Sequence, residues 1–521
     1  MKNNKNYTGR DGANESLWQS EIEFGSKNKD ADQSLFPADV YDVLIIGGGI
    51  TGLSTALKLQ SSGQRCLVLE ARNIGFGTTG GTSAHLNTFL DASYPEIDSD
   101  FGVDASRLMA QASKSVIAEI EQNIVNYNID ADFKYKDGYL FSQNKKESKQ
   151  LEDILSSSLR AGVTVAEVNE NGIGILFQRS LLFSGQAQFH PIKYIQGLAR
   201  AFESLGGVIR ENAMVQATNI DAGIHFAESS CGMFGAKHLV WATHIPPGIN
   251  LLSFRNAPYR SYVLAVKLKS GSYPDCLSYD LQEPYHYIRS HETDGEKYLL
   301  IGGADHKTGH DDVQNAFADL EEYTRANFNI AEVSFRWSSQ YYVPVDGLPY
   351  IGQLPGGSAH TWVATGFNGN GMILGSLAAS VITDCILGKE NELIDLLSPS
   401  RLKPIAGFTG FVEENADVAY RFIADRFSTQ HLESLAALAP GEGMVAKFDG
   451  DKLALYKDRD GKVNALNPTC THAGCIVCWN PSEKSWDCPC HGGRFAVDGE
   501  VLTGPPKTAL KRVEIDWKEK N

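Results

Sequence analysis

The sequence has few long apolar runs, and none of them suits a membrane helix. The longest mildly apolar run, residues 371–388, contains Asp384 and is diluted by glycine, alanine and serine, whereas a membrane span needs about 20 strongly apolar residues. The first 37 residues are polar and lack both the apolar core of a signal peptide and a twin arginine. We therefore expect no membrane span, a partly ordered polar arm over residues 1–38, and a cytoplasmic location.

Positive charge is also scarce in this chain of 521 residues. Lysine and arginine total 47 against 63 aspartates and glutamates, which gives a formal net charge of −16. Proteins that bind nucleic acid or anionic membrane surfaces through electrostatics carry the opposite balance. The composition therefore predicts no nucleic-acid partner.

Cysteines are few outside one short stretch. Five of the nine lie within residues 470–490 and the other four are scattered, so no secreted disulfide framework is indicated. In the stretch, Cys470-Thr-His472 and Cys488-Pro-Cys490-His491 each offer one thiolate and one imidazole. Two such pairs could bind one zinc ion, or a [2Fe–2S] pair with thiolates on one iron and imidazoles on the other. Zinc prefers separate Cys–Cys and His–His pairs, so the mixed spacing favours the cluster, with a structural zinc site as the alternative.

The same stretch closely resembles the Rieske motif of cytochrome bc-type iron–sulfur proteins. The resemblance implies that Cys470, His472, Cys488 and His491 bind the cluster and that Cys475 and Cys490 form a disulfide between the two loops. It also implies that Gly504-Pro505-Pro506 is the proline loop that covers the cluster.

One departure from that motif bears on the reduction potential. The family carries a serine and a tyrosine after the last ligand, and their hydroxyls hydrogen-bond to the cluster sulfurs. Here the run is Gly492-Gly493-Arg494-Phe495, and fewer donors stabilise the added electron less. We expect a midpoint in the lower half of the range of roughly −150 to +300 mV for such centres.

A glycine-rich motif near the start indicates dinucleotide binding. Residues 41–46 form a continuous apolar run typical of a buried strand, and Gly47-Gly48-Gly49-Ile50-Thr51-Gly52 follows and opens a helix to about Ser62. A second strand, residues 66–69, ends at Glu70, the acidic residue expected to hold the ribose hydroxyls. The first glycine permits the tight turn, the second lets the backbone approach a pyrophosphate, and the third lets helix and strand pack closely.

The loop after Glu70, rich in glycine, threonine and serine, resembles that of the D-amino-acid-oxidase-like FAD enzymes, which include glycine, sarcosine and γ-glutamylputrescine oxidases. Further blocks after residue 188 and at residues 337–352 and 362–372 resemble the same family in the same order. The resemblance implies FAD bound by Gly47, Gly49, Ile50, Thr51, Gly52, Glu70, Ala71, Arg72, Thr78, Thr79, Thr82, Ser83, His85, Val215, Ala242, Thr243, Gly347, Gly369, Asn370, Gly371 and Met372. Some relatives link FAD covalently through His or Cys; for His85 we favour a non-covalent neighbour of the flavin.

The combined resemblances predict the fold. We expect an α/β FAD-binding Rossmann-type domain with an interleaved antiparallel-sheet substrate domain, plus a C-terminal all-β Rieske domain. The predicted FAD domain comprises about residues 39–100, 180–250 and 337–398, and the substrate domain about 101–179 and 251–336. A linker and helix over 399–430 then lead to the Rieske domain, 431–521.

The substrate residues have no motif of their own. Tyrosines 279, 285 and 287, His286 and the run Asp305-His306-Lys307 lie where the family places its substrate sheet. We name His306, Lys307 and Tyr342 as catalytic candidates, since an aromatic wall with a histidine or lysine could orient an amine and assist proton chemistry. The alternative is that these are half-buried strand residues.

Only one dinucleotide motif is present, which bears on the electron donor. Asn171-Gly-Ile-Gly174 lacks the third glycine and the helix of a second site, so NAD(P)H is not the expected donor. We expect the flavin to oxidise a small amine or amino acid and the cluster to pass the electrons to an external acceptor, which is a carrier protein, a quinone or O2. The alternatives are an oxidase that gives H2O2, with the cluster structural or redox-sensing, and a non-catalytic redox sensor.

Overall fold

Two large β-sheets build most of the first four hundred residues of the structure, a computed structural model. It describes residues 12–20, 40–310, 315–401, 417, 421, 430–432 and 434–515. The first sheet has eight strands and a parallel centre, and the second has nine strands, most of them antiparallel. Two four-stranded sheets follow in the C-terminal part.

The strands of the two large sheets are, in chain order, β1 (Val40–Ile46), β2 (Cys66–Leu69), β3 (His85–Leu86), β4 (Lys134–Ser142), β5 (Val165–Val168), β6 (Arg179–Gln188), β7 (Val208–Arg210), β8 (Val215–Asp221), β9 (Ile224–Ser229), β10 (Gly232–Trp241), β11 (Asn256–Leu268), β12 (Leu277–Asp280), β13 (Tyr287–Thr293), β14 (Glu296–Lys307), β15 (Ile330–Pro344), β16 (Tyr350–Gln353) and β17 (Thr361–Thr365). The helices are α1 (Ile50–Ser61), α2 (Thr78–Gly81), α3 (Tyr94–Phe101), α4 (Val103–Asn126), α5 (Lys145–Arg160), α6 (Pro191–Ser204), α7 (Ala316–Asn327), α8 (Gly371–Leu387) and α9 (Leu393–Leu396).

The first sheet follows the order β16-β17-β10-β1-β2-β7, with β9 and β8 attached beside β10. Strand β1 pairs in parallel with β10 on one side and β2 on the other. Its apolar residues are buried on both faces, as expected for a continuous apolar run. Val43 and Ile45 pack with residues of α1 and α8 on one face, and Leu44 and Ile46 pack with residues of β8 and β9 on the other. The predicted strands and the helix around the glycine motif are confirmed, with β2 at the predicted bounds.

The second sheet follows the order β15-β11-β14-β13-β12-β4-β6-β3, and β5 pairs with β6. Strand β15 runs from Ile330 to Pro344 without a break, across the boundary predicted at residue 337. Strand β6 also belongs to this sheet, although residues from 180 on were assigned to the FAD domain. The exact division of the two interleaved domains stays a prediction.

The C-terminal part contains β18 (Gln430–His431), β19 (Gly443–Phe448), β20 (Asp451–Lys457), β21 (Val463–Leu466), β22 (Cys478–Asn480), β23 (Ser485–Asp487), β24 (Arg494–Ala496) and β25 (Val501–Thr503). Short 3-10 helices lie at Leu251–Phe254 and Leu435–Ala437. Beyond these strands, residues 511–513 pair briefly with the end of β21. They make an isolated bridge between Arg512 and Leu466, with backbone bonds from the Asn467 N–H to the Lys511 carbonyl and from the Val513 N–H to the Ala465 carbonyl.

Most of the predicted linker and helix, residues 402–429, lies outside the described residues, apart from positions 417 and 421. Within the described part of the chain, no helix has the length and apolar character needed to cross a membrane.

Part of the N-terminal arm packs tightly against the rest of the protein. Within residues 12–20, Trp18 is fully buried, and its indole N–H donates to the Thr82 carbonyl oxygen at 2.6 Å. The Ala13 backbone N–H donates to a carboxylate oxygen of Glu483 at 2.8 Å. This short segment, which we call the N-terminal strap, therefore connects the loop after β2 to the C-terminal part.

Candidate functional site

A large cavity of about 620 Å³ opens at the carboxyl ends of β1, β2 and β10. Its wall includes residues 46–51, 69–72 and 241–245, which follow those three strands. Ligands of open α/β sheets bind at this edge. The volume lies within the usual range of about 300–1,000 Å³ for ligand pockets.

The glycine motif forms a tight turn of backbone without side chains, which we call the flavin cradle. Gly47 has φ of +113°, and a Cβ on it would lie 2.4 Å from the Ala242 carbonyl oxygen. A Cβ on Gly52 would lie 1.9 Å from the Gly47 carbonyl oxygen. Helix α1 begins after Gly49 with no side-chain cap from that residue, and its N-terminus lines the cavity. A helix N-terminus favours an anion such as a pyrophosphate.

Glu70 is held in place by two backbone amides. The Gly48 N–H donates to its Oε2 at 2.6 Å, and the Arg72 N–H donates to its Oε1 at 2.9 Å. The carboxylate therefore sits beside the glycine turn, in position to accept bonds from ribose hydroxyls.

The loop after Glu70 closes over the start of α1. The Ile50 N–H donates to the Thr79 hydroxyl at 3.1 Å. Further along, the Ser83 hydroxyl and His85 Nδ1 are 2.9 Å apart. His85 Nε2 is buried and makes no hydrogen bond. Burial lowers the pKa of His85 well below its usual value, so the ring is neutral at the cavity wall.

The N-terminus of α8 also faces the cavity. Gly369, Asn370, Gly371 and Met372 all line it, and α8 has no side-chain cap. The Gly369 N–H donates to Asp91 Oδ2 at 2.6 Å. A helix N-terminus of this kind stabilises negative charge on a bound ring system.

Most predicted FAD-binding residues meet at this one cavity. The exceptions are Gly52, which packs beneath the glycine turn as its predicted role requires, and Gly347, in the turn after β15. The Gly347 carbonyl accepts a bond from Asn368, which lies in the wall. Those that line the cavity are Gly47, Gly49, Ile50, Thr51, Glu70, Ala71, Arg72, Thr78, Thr79, Thr82, Ser83, His85, Val215, Ala242, Thr243, Gly369, Asn370, Gly371 and Met372.

The four predicted cluster ligands come together in the C-terminal domain. The imidazole rings of His472 and His491 lie 4.9 Å apart, and both nitrogens of each ring are buried without a hydrogen-bond partner. Cys470 and Cys488 are buried and close enough to hydrogen-bond, which lowers the pKa of Cys470 and raises that of Cys488. Two thiols and two unpartnered imidazoles are the donor set of a Rieske centre.

The surroundings favour metal binding by these side chains. The pKa of His491 is lowered to about 4, mainly by burial and to a lesser extent by the neighbouring His472. The ring is therefore neutral, which is the form of imidazole that binds a metal. A disulfide joins Cys475 and Cys490, as the resemblance implied. A Cβ on Gly493 would lie 2.7 Å from Pro506, so the proline loop packs directly on the last ligand loop.

Replacing Phe495 with tyrosine should raise the midpoint potential of the cluster. Phe495 is fully buried and packs in the same apolar cluster as both ligand cysteines. Tyrosine restores one of the hydroxyls that related motifs use to stabilise the added electron. Potentiometric EPR titration measures the change, with the equally buried Trp486→Phe as control. A midpoint of the unmodified protein near the top of the range of roughly −150 to +300 mV would contradict the low potential that we expect from its missing hydroxyls.

Strand β15 connects the cavity with the cluster loop. The amide nitrogen of Gln340 donates to the Gly492 carbonyl at 2.9 Å, and the Tyr342 hydroxyl donates to the His491 carbonyl at 3.2 Å. On the cavity side, the Thr78 hydroxyl donates to the Gln340 carbonyl at 3.0 Å. The loop that carries one cluster ligand is therefore bonded to a strand of the cavity wall.

The C-terminal domain also forms part of that wall directly. Residues 501–507, which include the proline loop, line the cavity. Arg72 donates from its guanidinium to the Val501 carbonyl at 3.0 Å. Buried Glu483 accepts a bond from the Ser338 N–H of β15 at 3.0 Å. The two predicted redox sites thus share one interface.

None of the three catalytic candidates lines the cavity. His306 stacks on Tyr262, and Lys307 pairs with Asp417. Tyr342 is fully buried against the cluster loop. Their catalytic assignment stays a prediction, and this geometry gives it no support.

Other residues reach the cavity instead. Asp91, Ser261, Asp305 and Tyr341 line it, together with tyrosines 279, 285 and 287 of the predicted aromatic wall. The alternation of side chains along β14 would have indicated that only one of Asp305 and His306 can face the cavity, since successive side chains of a strand point to opposite faces of the sheet. Asp91 lies in a loop without a motif, so no comparable sequence signal indicates it.

Family models match both the FAD-binding part of the chain and its C-terminal domain. The model for the FAD dependent oxidoreductase (DAO) family matches residues 42–385, and the model for the Rieske [2Fe-2S] domain matches residues 429–514. Members of the first family bind FAD and the Rieske domain binds a [2Fe–2S] cluster. The prediction of a Rieske cluster rather than zinc is therefore confirmed.

Individual relatives cover most of the chain. The provisionally named Rieske 2Fe-2S iron-sulfur protein YhfW of Bacillus subtilis (strain 168) is 31% identical over 478 residues, covering 91% of this chain and 94% of that protein. Gamma-glutamylputrescine oxidoreductase of Escherichia coli (strain K12) is 25% identical over 363 residues, covering 67% and 84%.

Among solved structures, glycine oxidase from Geobacillus kaustophilus superposes with a TM-score of 0.56 at 20% identity, covering 70% of this chain and 99% of that one. This likeness confirms the predicted fold of the first part. The chain therefore belongs to the DAO family of FAD-dependent oxidoreductases and carries a C-terminal Rieske [2Fe–2S] domain.

Proposed function

We propose that the protein oxidises an amine or amino acid at its flavin and passes the electrons through the Rieske cluster to an external acceptor. The bonds from Gln340 and Tyr342 to the ligand loop carry this proposal. They join the cavity wall to the backbone of His491 and its neighbour. A cluster with only a local structural role would not require this contact.

The chain's own residues bind, orient and enclose the substrate. The cavity is walled by both large sheets and by residues 501–507 of the C-terminal domain. Hydride transfer from the C–H bond next to nitrogen needs alignment and exclusion of water more than it needs an acid–base pair. The flavin supplies the two-electron acceptor and the cluster a one-electron carrier.

The printed names of relatives support a nitrogenous substrate. The Escherichia coli relative is named for γ-glutamylputrescine, and the structural neighbour for glycine. A small-molecule substrate and a redox partner follow from the family. We keep a carrier protein, a quinone and O2 as acceptors to be distinguished, and the cytoplasmic location stays a prediction.

Anaerobic titration of the purified holoprotein with a panel of amines and amino acids tests the proposal. We expect one compound to bleach the flavin absorption and the Rieske EPR signal to grow afterwards, because electrons cross the shared interface. Bleaching with an oxidised cluster that persists, together with rapid H2O2 formation in air, would contradict the proposed route and favour an oxidase. Buffer without substrate is the control for photoreduction.

A further inference from the structure

Two carboxyl groups and a set of tyrosines define one end of the cavity, which we call the acidic end. Its members are Asp91, Ser261, Tyr285, Tyr287, Asp305 and Tyr341. A Cβ on Gly369 would lie 2.7 Å from Asp91 Oδ2 and 3.2 Å from the Tyr285 hydroxyl. The acidic end therefore adjoins the N-terminus of α8, where the flavin ring is expected.

Asp305 is the most firmly held group in this set. The Ser261 hydroxyl donates to its Oδ1, and the Tyr341 hydroxyl donates to its Oδ2 at 2.8 Å. The Tyr287 hydroxyl lies 2.9 Å from that of Ser261. Each carboxylate oxygen still has capacity for a further donor. The protein thus fixes an acceptor at the wall and leaves part of it open to the cavity.

No protein cation neutralises Asp305 within the described residues, since no lysine, arginine or histidine nitrogen lies within 4 Å of it there. Among charged groups, Asp91 raises the pKa of Asp305, and His286, which is not a lining residue of the cavity, lowers it. Removal from water raises the pKa of Asp305 to about 7, although Ser261 and Tyr341 oppose the rise. A buried carboxylate without a cation is costly, so a cationic ligand at this position would be stabilised.

Basic residues of the cavity wall lie elsewhere in the structure. The described lining residues with basic side chains are Arg72, His85, His244 and Lys507. Arg72 donates to the C-terminal domain, Lys507 belongs to the proline loop, and His244 contacts Thr78. His85 is neutral because burial lowers its pKa. A second carboxylate, Asp91, lies at the acidic end, where it accepts a bond from the Gly369 N–H.

We propose that Asp305 anchors the cationic amino group of the substrate, and that this substrate carries no carboxylate on the carbon that bears the amino group. This inference rests on the proposed function and narrows its substrate class to amines. The ammonium would bond to Asp305 and lie against the faces of the neighbouring tyrosines, which attract cations. At this end of the cavity an α-carboxylate would meet two like charges and, among the residues that the structure describes, no cation, which disfavours amino acids.

The test compares matched compounds that differ only in the α-carboxylate, such as propylamine and 2-aminobutyrate, benzylamine and phenylglycine, or butane-1,4-diamine and ornithine. Binding to the anaerobic holoprotein is read from the perturbation of the flavin absorption spectrum, which needs no turnover. In at least one pair we expect the amine to bind at least about tenfold more tightly. Asp305→Asn should weaken that binding about tenfold or more, with unchanged FAD content and cluster EPR signal. Asp294→Asn, in the exposed turn between β13 and β14, is the matched control.

The pH dependence of the wild type gives a second measurement that does not rely on a variant. Asp305 on β14 faces Ser261 on β11, Tyr341 on β15, Tyr287 on β13, His286 and Asp91. Burial raises the pKa of Asp91 to about 6, so Asp91 gains its charge before Asp305 as the pH rises. Because the pKa of Asp305 is about 7, it is neutral below that value. Amine affinity should therefore rise between pH 6 and pH 8 and fall in acid.

Each outcome decides the inference separately from the proposed function. Amino acids that bind as tightly as their amines, unchanged amine affinity in Asp305→Asn, or no saturable spectral change with any compound would overturn it. If an amino acid bleaches the flavin and reduces the cluster, the proposed function stands while this inference falls. If amines bind through Asp305 but never bleach the flavin, the inference stands and the proposed function falls.

Discussion

Replacing Cys488 with alanine should abolish the Rieske EPR signal and electron delivery to the acceptor while leaving FAD in place. Cys488 is a buried thiol beside Cys470 and the two unpartnered imidazoles. Loss of an iron ligand should reduce cluster content well beyond the roughly 10–100-fold effect of changing an outer-shell group. The Cys488 side chain does not line the cavity, so we expect FAD binding to be retained. Iron content, EPR and flavin absorption measure the three effects.

The control for that variant is Cys478→Ala. Cys478 belongs to the same domain, at the start of β22, and is neither a predicted ligand nor part of the disulfide. We expect it to keep both the cluster and electron delivery. The remaining disulfide and the buried Trp486 and Phe495 should keep the domain folded in Cys488→Ala. Normal electron delivery by a cluster-free Cys488→Ala protein would show that the cluster is not on the route.

Replacing Gly52 with alanine should yield a protein that retains almost no FAD. The added Cβ would lie 1.9 Å from the Gly47 carbonyl oxygen, which is backbone and cannot rotate away. Either α1 or the glycine turn must move, and both shape the flavin cradle. Overpacking of this kind costs up to about 3 kcal/mol, which corresponds to about a hundredfold in affinity. The ratio of flavin to protein absorption after purification and gel filtration measures the loss.

Gly63→Ala is the matched control near the other end of α1. Gly63 has φ of +84° and no atom within 4 Å of an added Cβ. The substitution therefore strains only the local backbone, by about 1–2 kcal/mol, and should leave FAD bound. Full flavin content in Gly52→Ala would show that the observed turn is not the binding conformation.

Local patterns predicted the parts of this protein whose chemistry is local. The glycine turn, Glu70 and the four cluster ligands are each defined by spacing along the chain, and the structure brings each set together. Apolar runs likewise predicted β1, α1 and β2, since burial on both faces requires them.

The substrate residues could not be predicted in the same way because long-range packing brings them together. Asp91 and Asp305 are separated by more than two hundred residues and meet only at the junction of a loop and a sheet. Tyr342 illustrates the opposite error, in which a residue named as a catalytic candidate lies outside the cavity lining. Its hydroxyl is used to hold the cluster loop, which no pattern around residue 342 indicates.

The N-terminal strap has a consequence for the order in which the protein is assembled. Its bond from Ala13 to Glu483 spans 470 positions of the chain, so it closes only after nearly the whole chain has left the ribosome. Trp18, in contrast, meets the loop that carries Thr82 early in synthesis. Residues 501–507, which line the cavity, also lie at the far end of the chain. The part of the cavity wall that they form can therefore be completed only after the rest of the wall has been synthesised.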